Sequence, residues 1–306
     1  MPAMSDADDW VIAAAMLNFP GQHDAPVDIW RAALDQVSRA GFTDVDPTDS
    51  WVRVADLTPS RLADFMDAVA DAGLRIPAIS TARRSVIDPE SGDENLAYSH
   101  RVIDTAAALG ARHVSLALMR PLTPAQQTAL WFWTAPGPAD PDDEATWRRA
   151  VTRFQELGAH AESVGVEISL ELYEDTYLGT AAGAVRLVQD IGSPAVGINP
   201  DLGNLVRRYG PVEPWLEIIS ATAPYARYWH VKNYARAEDF TTGAAMTTPT
   251  SMALGVIDYR TAIAVAISAG FSGAFCVENY GGDGLSVSAG NRDYLRSILP
   301  QRHLPE

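Results

Sequence analysis

Short β-rich runs alternate with amphipathic helical stretches along the whole chain. The first run spans Val11–Phe19, after which Trp30, Ala33, Leu34 and Val37 mark one helical face that Gly41 closes. A second run, Phe42–Val45, leads into a clearer helix. Thr58 is placed to cap it with Pro59 at its first position, and Leu62, Phe65, Met66, Val69 and Ala70 recur at helical spacing up to Gly73. Further strands are predicted at Arg75–Ser80, His113–Leu118, Glu167–Glu171, Val196–Asp201, Tyr228–Lys232 and Ala274–Glu278, with helices between them and a last helix over Val287–Ile298.

Eight consecutive βα units without a compositional break predict a single (β/α)8 barrel, an α/β fold, over residues 1–306. A doubly wound sheet is the alternative. Such a sheet carries a glycine fingerprint after its first strand, and Asn18-Phe19-Pro20-Gly21-Gln22 is none. Two connections exceed simple turns, one near 119–147 after strand four and one near 233–257 after strand seven. Both follow strands, so both are expected on the catalytic face of a barrel.

The polar residues that end the strands carry the chemistry. Strand five ends in Glu171, strand six in Asp201, strand seven in His230 and Lys232, and strand eight in Glu278. Glu171 to Asp201 is 30 residues and Asp201 to His230 is 29, one βα unit each. His230 to Glu278 is 48, and the long connection after strand seven accounts for the excess. Strand alternation turns Ser169 and Glu171 inward, with Tyr228, His230 and Lys232, while Ile168, Leu170, Trp229 and Val231 face the helices. Three carboxylates crowded at one mouth repel unless a cation sits among them. With one histidine they form a mainly hard donor set for one divalent ion, Mn²⁺ first, with Mg²⁺, Co²⁺ or Zn²⁺ accommodated.

The elements Leu170-Glu171-Leu172-Tyr173, Asn199-Pro200-Asp201-Leu202-Gly203-Asn204, His230-Val231-Lys232-Asn233 and Val277-Glu278-Asn279-Tyr280-Gly281 resemble those of the xylose isomerase-like superfamily, the sugar phosphate isomerase/epimerase group of TIM barrels. The resemblance implies that Glu171, Asp201, His230 and Glu278 ligate one catalytic metal and that Glu171 and Glu278 shuttle protons. The ketose 3-epimerases of the group place an Arg soon after the first metal glutamate. Here Leu172-Tyr173-Glu174-Asp175 follows instead. Six histidines are too few for the three-zinc nuclease branch.

Other residues near the mouth admit two readings each. Lys232 binds a substrate oxygen or pairs with an acid, and Asn204 positions substrate or caps a turn. His23 is a second catalytic base or an incidental loop histidine, and His113, at the far end of strand four, reads as structural. Trp131, Phe132 and Trp133 form a substrate wall, a lid core or an oligomer contact, and Trp51 adds a further ring near the mouth.

A metal on a carbonyl and its neighbouring hydroxyl acidifies the adjacent C–H bond by stabilising an enediolate. An isomerase or epimerase of a sugar is therefore the leading expectation. The alternatives are a lyase using the same enolate, either a keto-polyol dehydratase or the large subunit of a C-glycoside deglycosidase, and a barrel that binds sugar or a protein partner without turnover. A homo-oligomer is expected, with a small partner subunit in the deglycosidase case.

The charge balance narrows the partners. Twenty-three basic residues stand against 39 acidic ones, a formal charge of −16, and no basic cluster offsets it, which argues against nucleic acid. No run approaches the roughly 18 apolar residues of a membrane span. Met1–Trp10 is acidic and lacks the basic start of a signal peptide, so a cytoplasmic protein is expected. Cys276 is the one cysteine, which excludes an internal disulfide and a cysteine-based zinc site.

Overall fold

Strand pairing in the computed structural model, which describes residues 10–239 and 241–300, follows the order of the chain. The strands are β1 (Ile12–Ala15), β2 (Val45–Asp46), β3 (Ala78–Ser80), β4 (His113–Leu116), β5 (Glu167–Glu171), β6 (Val196–Asn199), β7 (Trp229–Val231), β8 (Asn233–Asp239), β9 (Ala244–Thr250) and β10 (Phe275–Val277). Two parallel four-stranded sheets run β2-β1-β10-β7 and β3-β4-β5-β6. Isolated parallel bridges join them at both seams, Asp44 with Arg75 and Thr48 with Ser80 on one side, Ile198 with Ala226 on the other. Backbone bonds from Val45 N to Arg75 O (2.8 Å) and Arg227 N to Ile198 O (3.1 Å) span the seams. The eight parallel strands thus form the expected ring.

The helices are α1 (Val27–Arg39), α2 (Pro59–Asp71), α3 (Gly92–Leu109), α4 (Pro124–Thr128), α5 (Glu144–Val164), α6 (Ala181–Ile191), α7 (Leu202–Val206), α8 (Trp215–Thr222), α9 (Tyr259–Ser268) and α10 (Gly284–Ile298). Thr58 caps α2 by accepting from Arg61 N, with Pro59 at the first position, and Gly73 follows at φ +69°. Trp30, Ala33, Leu34 and Val37 are the buried face of α1. The core has two parts. Ile168, Leu170, Trp229 and Val231 belong to the large layer between strands and helices, whereas Ala15, Ala78, Tyr228 and Cys276 form a small cluster apart from it.

The structure corrects several boundaries. The strand expected over Val11–Phe19 ends at Ala15, and a 3-10 turn over Met16–Asn18 leads the chain out over the mouth. The second strand lies at Val45–Asp46, later than Phe42–Val45, because its partners are Ala14 and Ala15. The connection after β7 is mostly an antiparallel hairpin, β8 with β9. Asn233 ties its base, donating to Met252 O (2.8 Å) and Ile257 O (2.9 Å). Its strands are largely exposed and carry no apolar alternation, so periodicity does not reveal them. The connection after β4 holds α4, capped by a reciprocal Thr123–Gln126 box, and a 3-10 turn over Phe132–Thr134. Among the described residues no helix is long and apolar enough to cross a membrane.

Candidate metal centre at the barrel mouth

Four strand ends bring Glu171, Asp201, His230 and Glu278 together. One ligand atom from each lies within 4.8 Å of the others, and all four residues are buried. Glu171 is the last residue of β5, His230 the middle of β7, and Glu278 follows β10. Asp201 lies two residues beyond β6 and caps the short α7, its Oδ1 accepting from Asn204 N (3.1 Å).

The histidine ring is held in one orientation. Ser80 Oγ donates to Asp46 Oδ2 (2.7 Å), and Tyr228 Oη donates to the same oxygen (2.6 Å). The Ser80 hydroxyl proton is therefore engaged, so its oxygen accepts from His230 Nε2 at 3.0 Å. With Nε2 anchored there, Nδ1 is the nitrogen that faces the carboxylates, 3.3 Å from Glu278 Oε1 and 3.6 Å from Glu171 Oε1. Nδ1 is buried and has no hydrogen-bond partner. An imidazole whose far nitrogen is anchored and whose near nitrogen lacks a partner among carboxylates is the arrangement of a metal ligand.

Charge at the mouth points the same way. Lys232 Nζ contacts both Asp201 Oδ2 and Glu278 Oε2, so of its two expected uses the structure displays the ion pair. Burial, with Glu278 and Glu171 adding to it, pushes Asp201 up to about 7 even against Lys232. Burial works against Glu171 too, but the neighbouring His230 and Lys232 bring its carboxyl down to about 2. His230 and Lys232, despite burial, are both held well above their usual ranges by the acids around them. The acids favour additional positive charge, which a divalent ion supplies.

Asn204 donates to Glu171 Oε1 (2.7 Å) and Leu172 O (3.0 Å), so its side chain orients a carboxylate. Over the cluster lies a cavity of about 170 Å³, whose lining includes Glu171, His230 and Glu278 with Arg83, Phe132, Tyr173 and Tyr280. Of the aromatic segment, Phe132 lines it and the two tryptophans do not. Trp133 is buried, its indole N–H on Thr247 (3.0 Å), and Trp131 stacks on it at 5.1 Å. Trp51 is buried too, bonded to Gln22 Oε1. His23 is half-buried in the loop after β1 and does not line the cavity. His113 lies at the start of β4, stacked on Tyr228 at 5.8 Å.

Sequence reasoning missed the support of the aromatic wall. Arg207 is fully buried and forms a two-pronged pair with Glu174 (3.0 and 3.1 Å). Its guanidinium also faces the rings of Phe132, Trp133, Tyr173 and Tyr280 at 4.9–5.8 Å. The acid at the position that follows Glu171 by three thus serves this pair.

A family model described as xylose isomerase-like TIM barrel matches residues 34–298. The chain belongs to the xylose isomerase-like TIM barrel family. One solved member, a xylose isomerase-like TIM barrel protein from Mycobacterium smegmatis in complex with magnesium, is 43% identical, with TM-score 0.91 over 96% of this chain and 98% of that one. Two more distant structures share the fold. D-allulose 3-epimerase from Methylomonas sp. is 14% identical, with TM-score 0.69 over 97% of this chain and 100% of that one. 3-Keto-D-glucoside 4-epimerase from E. coli is 13% identical, with TM-score 0.66 over 94% and 100%. No curated protein matches the chain. For a xylose isomerase-like barrel, the four converging strand ends lie at the face where loops after the strands build active sites.

Proposed function

We propose that this protein is a divalent-metal-dependent isomerase or epimerase of a small keto-sugar, acting by proton transfer at the carbon beside a carbonyl. The observation that carries the reading is the unpartnered Nδ1 of His230 among three buried carboxylates, on the wall of a cavity of about 170 Å³. Glu171, Asp201, His230 and Glu278 would hold the ion, and the oxygen-rich set suits Mn²⁺ or Mg²⁺. The magnesium in the Mycobacterium smegmatis relative supports a hard divalent ion without deciding between them. Such an ion, when bound, polarises a carbonyl and the hydroxyl beside it and so acidifies the intervening C–H bond.

The side chains then divide the remaining work. Glu171, steadied by Asn204, and Glu278, beside Lys232, are the carboxylates available to take a proton from that carbon and return it. Return to the opposite face makes an epimer, and return to the neighbouring carbon makes an isomer. Phe132, Tyr173 and Tyr280 wall the cavity and limit water around the reacting carbon.

The test loads the protein with Mg²⁺ or Mn²⁺ and offers it ketoses in deuterated water. Deuterium should enter the carbon beside the carbonyl, and Glu171→Gln should abolish the exchange. Expulsion of a β-substituent instead would assign the lyase outcome. A fully metal-loaded protein that exchanges no proton of any ketose would overturn the reading.

A further inference from the structure

A second concavity of about 540 Å³ opens beside the cavity just described, and Ser50, Ala82 and Arg83 line both. Its wall carries three arginines, Arg53, Arg83 and Arg84. In a chain of charge −16 this is a local reversal of sign. Asp49 is the one acid on that wall, and its Oδ1 already accepts from Tyr98 Oη at 2.6 Å. Arg84 stands 3.7 Å from Asp49, and Arg53 lies 3.5 Å from Asp56.

Arg83 differs from its two neighbours. Its guanidinium donates to Arg120 O (3.0 Å) and to Tyr173 Oη (3.4 Å), and it faces the ring of Phe132 at 5.0 Å. All three are neutral groups, so among the described residues none of these contacts cancels its charge. Its backbone is also unusual, at φ +56° in a non-glycine residue. A conformation of that kind is strained, and such residues cluster at ligand sites. The guanidinium lies uncompensated on the boundary between the two hollows, where Tyr173 and Phe132 also line the inner one.

We infer that the outer hollow binds an anionic group, a carboxylate or a phosphate, borne by the substrate at the end remote from the reacting carbonyl. Arg83 makes the principal contact, and Arg53 and Arg84 complete the field around it. The inference rests on the reading of the mouth as a keto-sugar site, and it narrows the substrate to an acidic or phosphorylated ketose.

Calorimetric titration of the Mg²⁺-loaded full chain separates the two ideas. The probes are a neutral ketohexose, the same ketose 6-phosphate, a keto-hexonate and inorganic phosphate alone. One of the anionic ketoses should bind at least about tenfold more tightly than the neutral one, with an advantage that shrinks as salt rises. The tighter of the two tells phosphate from carboxylate. Arg83→Gln and, separately, Arg53→Gln should reduce that advantage and weaken inorganic phosphate in parallel, and Arg53→Gln, which lies outside the inner cavity, should leave neutral-ketose binding within about twofold. The salt dependence of the unaltered protein keeps the test decisive should Arg83→Gln fold poorly. Equal binding of neutral and anionic ketoses would overturn the anionic site while leaving the proton-transfer reading intact. Arginine-dependent binding of phosphate without proton exchange on any ketose would retain the anion site and overturn the reading of the mouth.

Discussion

Two buried clusters of carboxylates and cations lie near each other at the mouth, and they are built on opposite principles. Glu174 and Arg207 are matched one to one, with two parallel hydrogen bonds and aromatic rings around the guanidinium. Their side chains are 3% and 0% exposed. The other cluster sets Asp201 and Glu278 against Lys232, with Glu171 beside them, and leaves His230 Nδ1 without a hydrogen bond. The matched pair is complete as it stands and props the aromatic wall. The unmatched one, on the reading proposed above, is completed by another cation. Burial and residue type are alike in both, so charge balance and satisfied valences tell a structural pair from a reactive centre.

Substitution should separate the clusters, and the largest effect belongs to the unmatched one. Glu171→Gln or Glu278→Gln should lower turnover by about 10²–10⁴-fold, because an amide occupies the same space without accepting a proton. Asp201→Asn, by contrast, should not lower the thermal midpoint of the metal-free protein, since burial and the neighbouring Glu278 and Glu171 disfavour that carboxylate's charge. A substantial loss of metal-free stability in Asp201→Asn would place the cluster in the structural class instead. At the matched pair the effect should fall on folding. Arg207→Met leaves Glu174 buried without its partner and should cost about 3–5 kcal/mol of unfolding free energy, measured by denaturant titration. Adding Glu174→Gln should restore much of that loss.

Asp49 is an intermediate case, a buried acid with a tyrosine hydroxyl on one oxygen and Arg84 at a distance. Burial pushes it up to about 6 from an ordinary 3.8. The folded state therefore binds a proton between about pH 4 and 6 that the unfolded chain has already released, so this group's contribution to stability falls as pH rises through that window. Asp49→Asn removes the dependence. The stability of the variant relative to the unaltered protein should grow by up to about 3 kcal/mol from pH 4 to pH 7, read by denaturant titration at each pH. A difference independent of pH would show Asp49 to be ionised throughout.

The two clusters were unequally legible in the sequence. Glu171, Asp201, His230 and Glu278 end successive barrel strands, so the repeat length of a βα unit places them at one depth before any contact is known. Ser80 on β3, Asp46 on β2 and Tyr228, just before β7, fix the histidine and have no common spacing. Arg207 was hidden for a related reason. It follows α7, and its partners Glu174, Tyr234 and Phe132 lie on three other connections, so only the packed mouth brings them together. The tryptophans illustrate the converse. A run of three aromatics announces a cluster, but which ring meets the cavity depends on a 3-10 turn that composition does not encode.

The claim that the unmatched cluster is a metal centre is tested most directly by anomalous diffraction from crystals grown with Mn²⁺. The account predicts one strong peak per chain, within about 2.0–2.3 Å of His230 Nδ1 and of oxygens from Glu171, Asp201 and Glu278, with the Lys232 ammonium moved off the carboxylates it now contacts. A mouth without a peak at saturating Mn²⁺, with Lys232 still bridging Asp201 and Glu278, would contradict it.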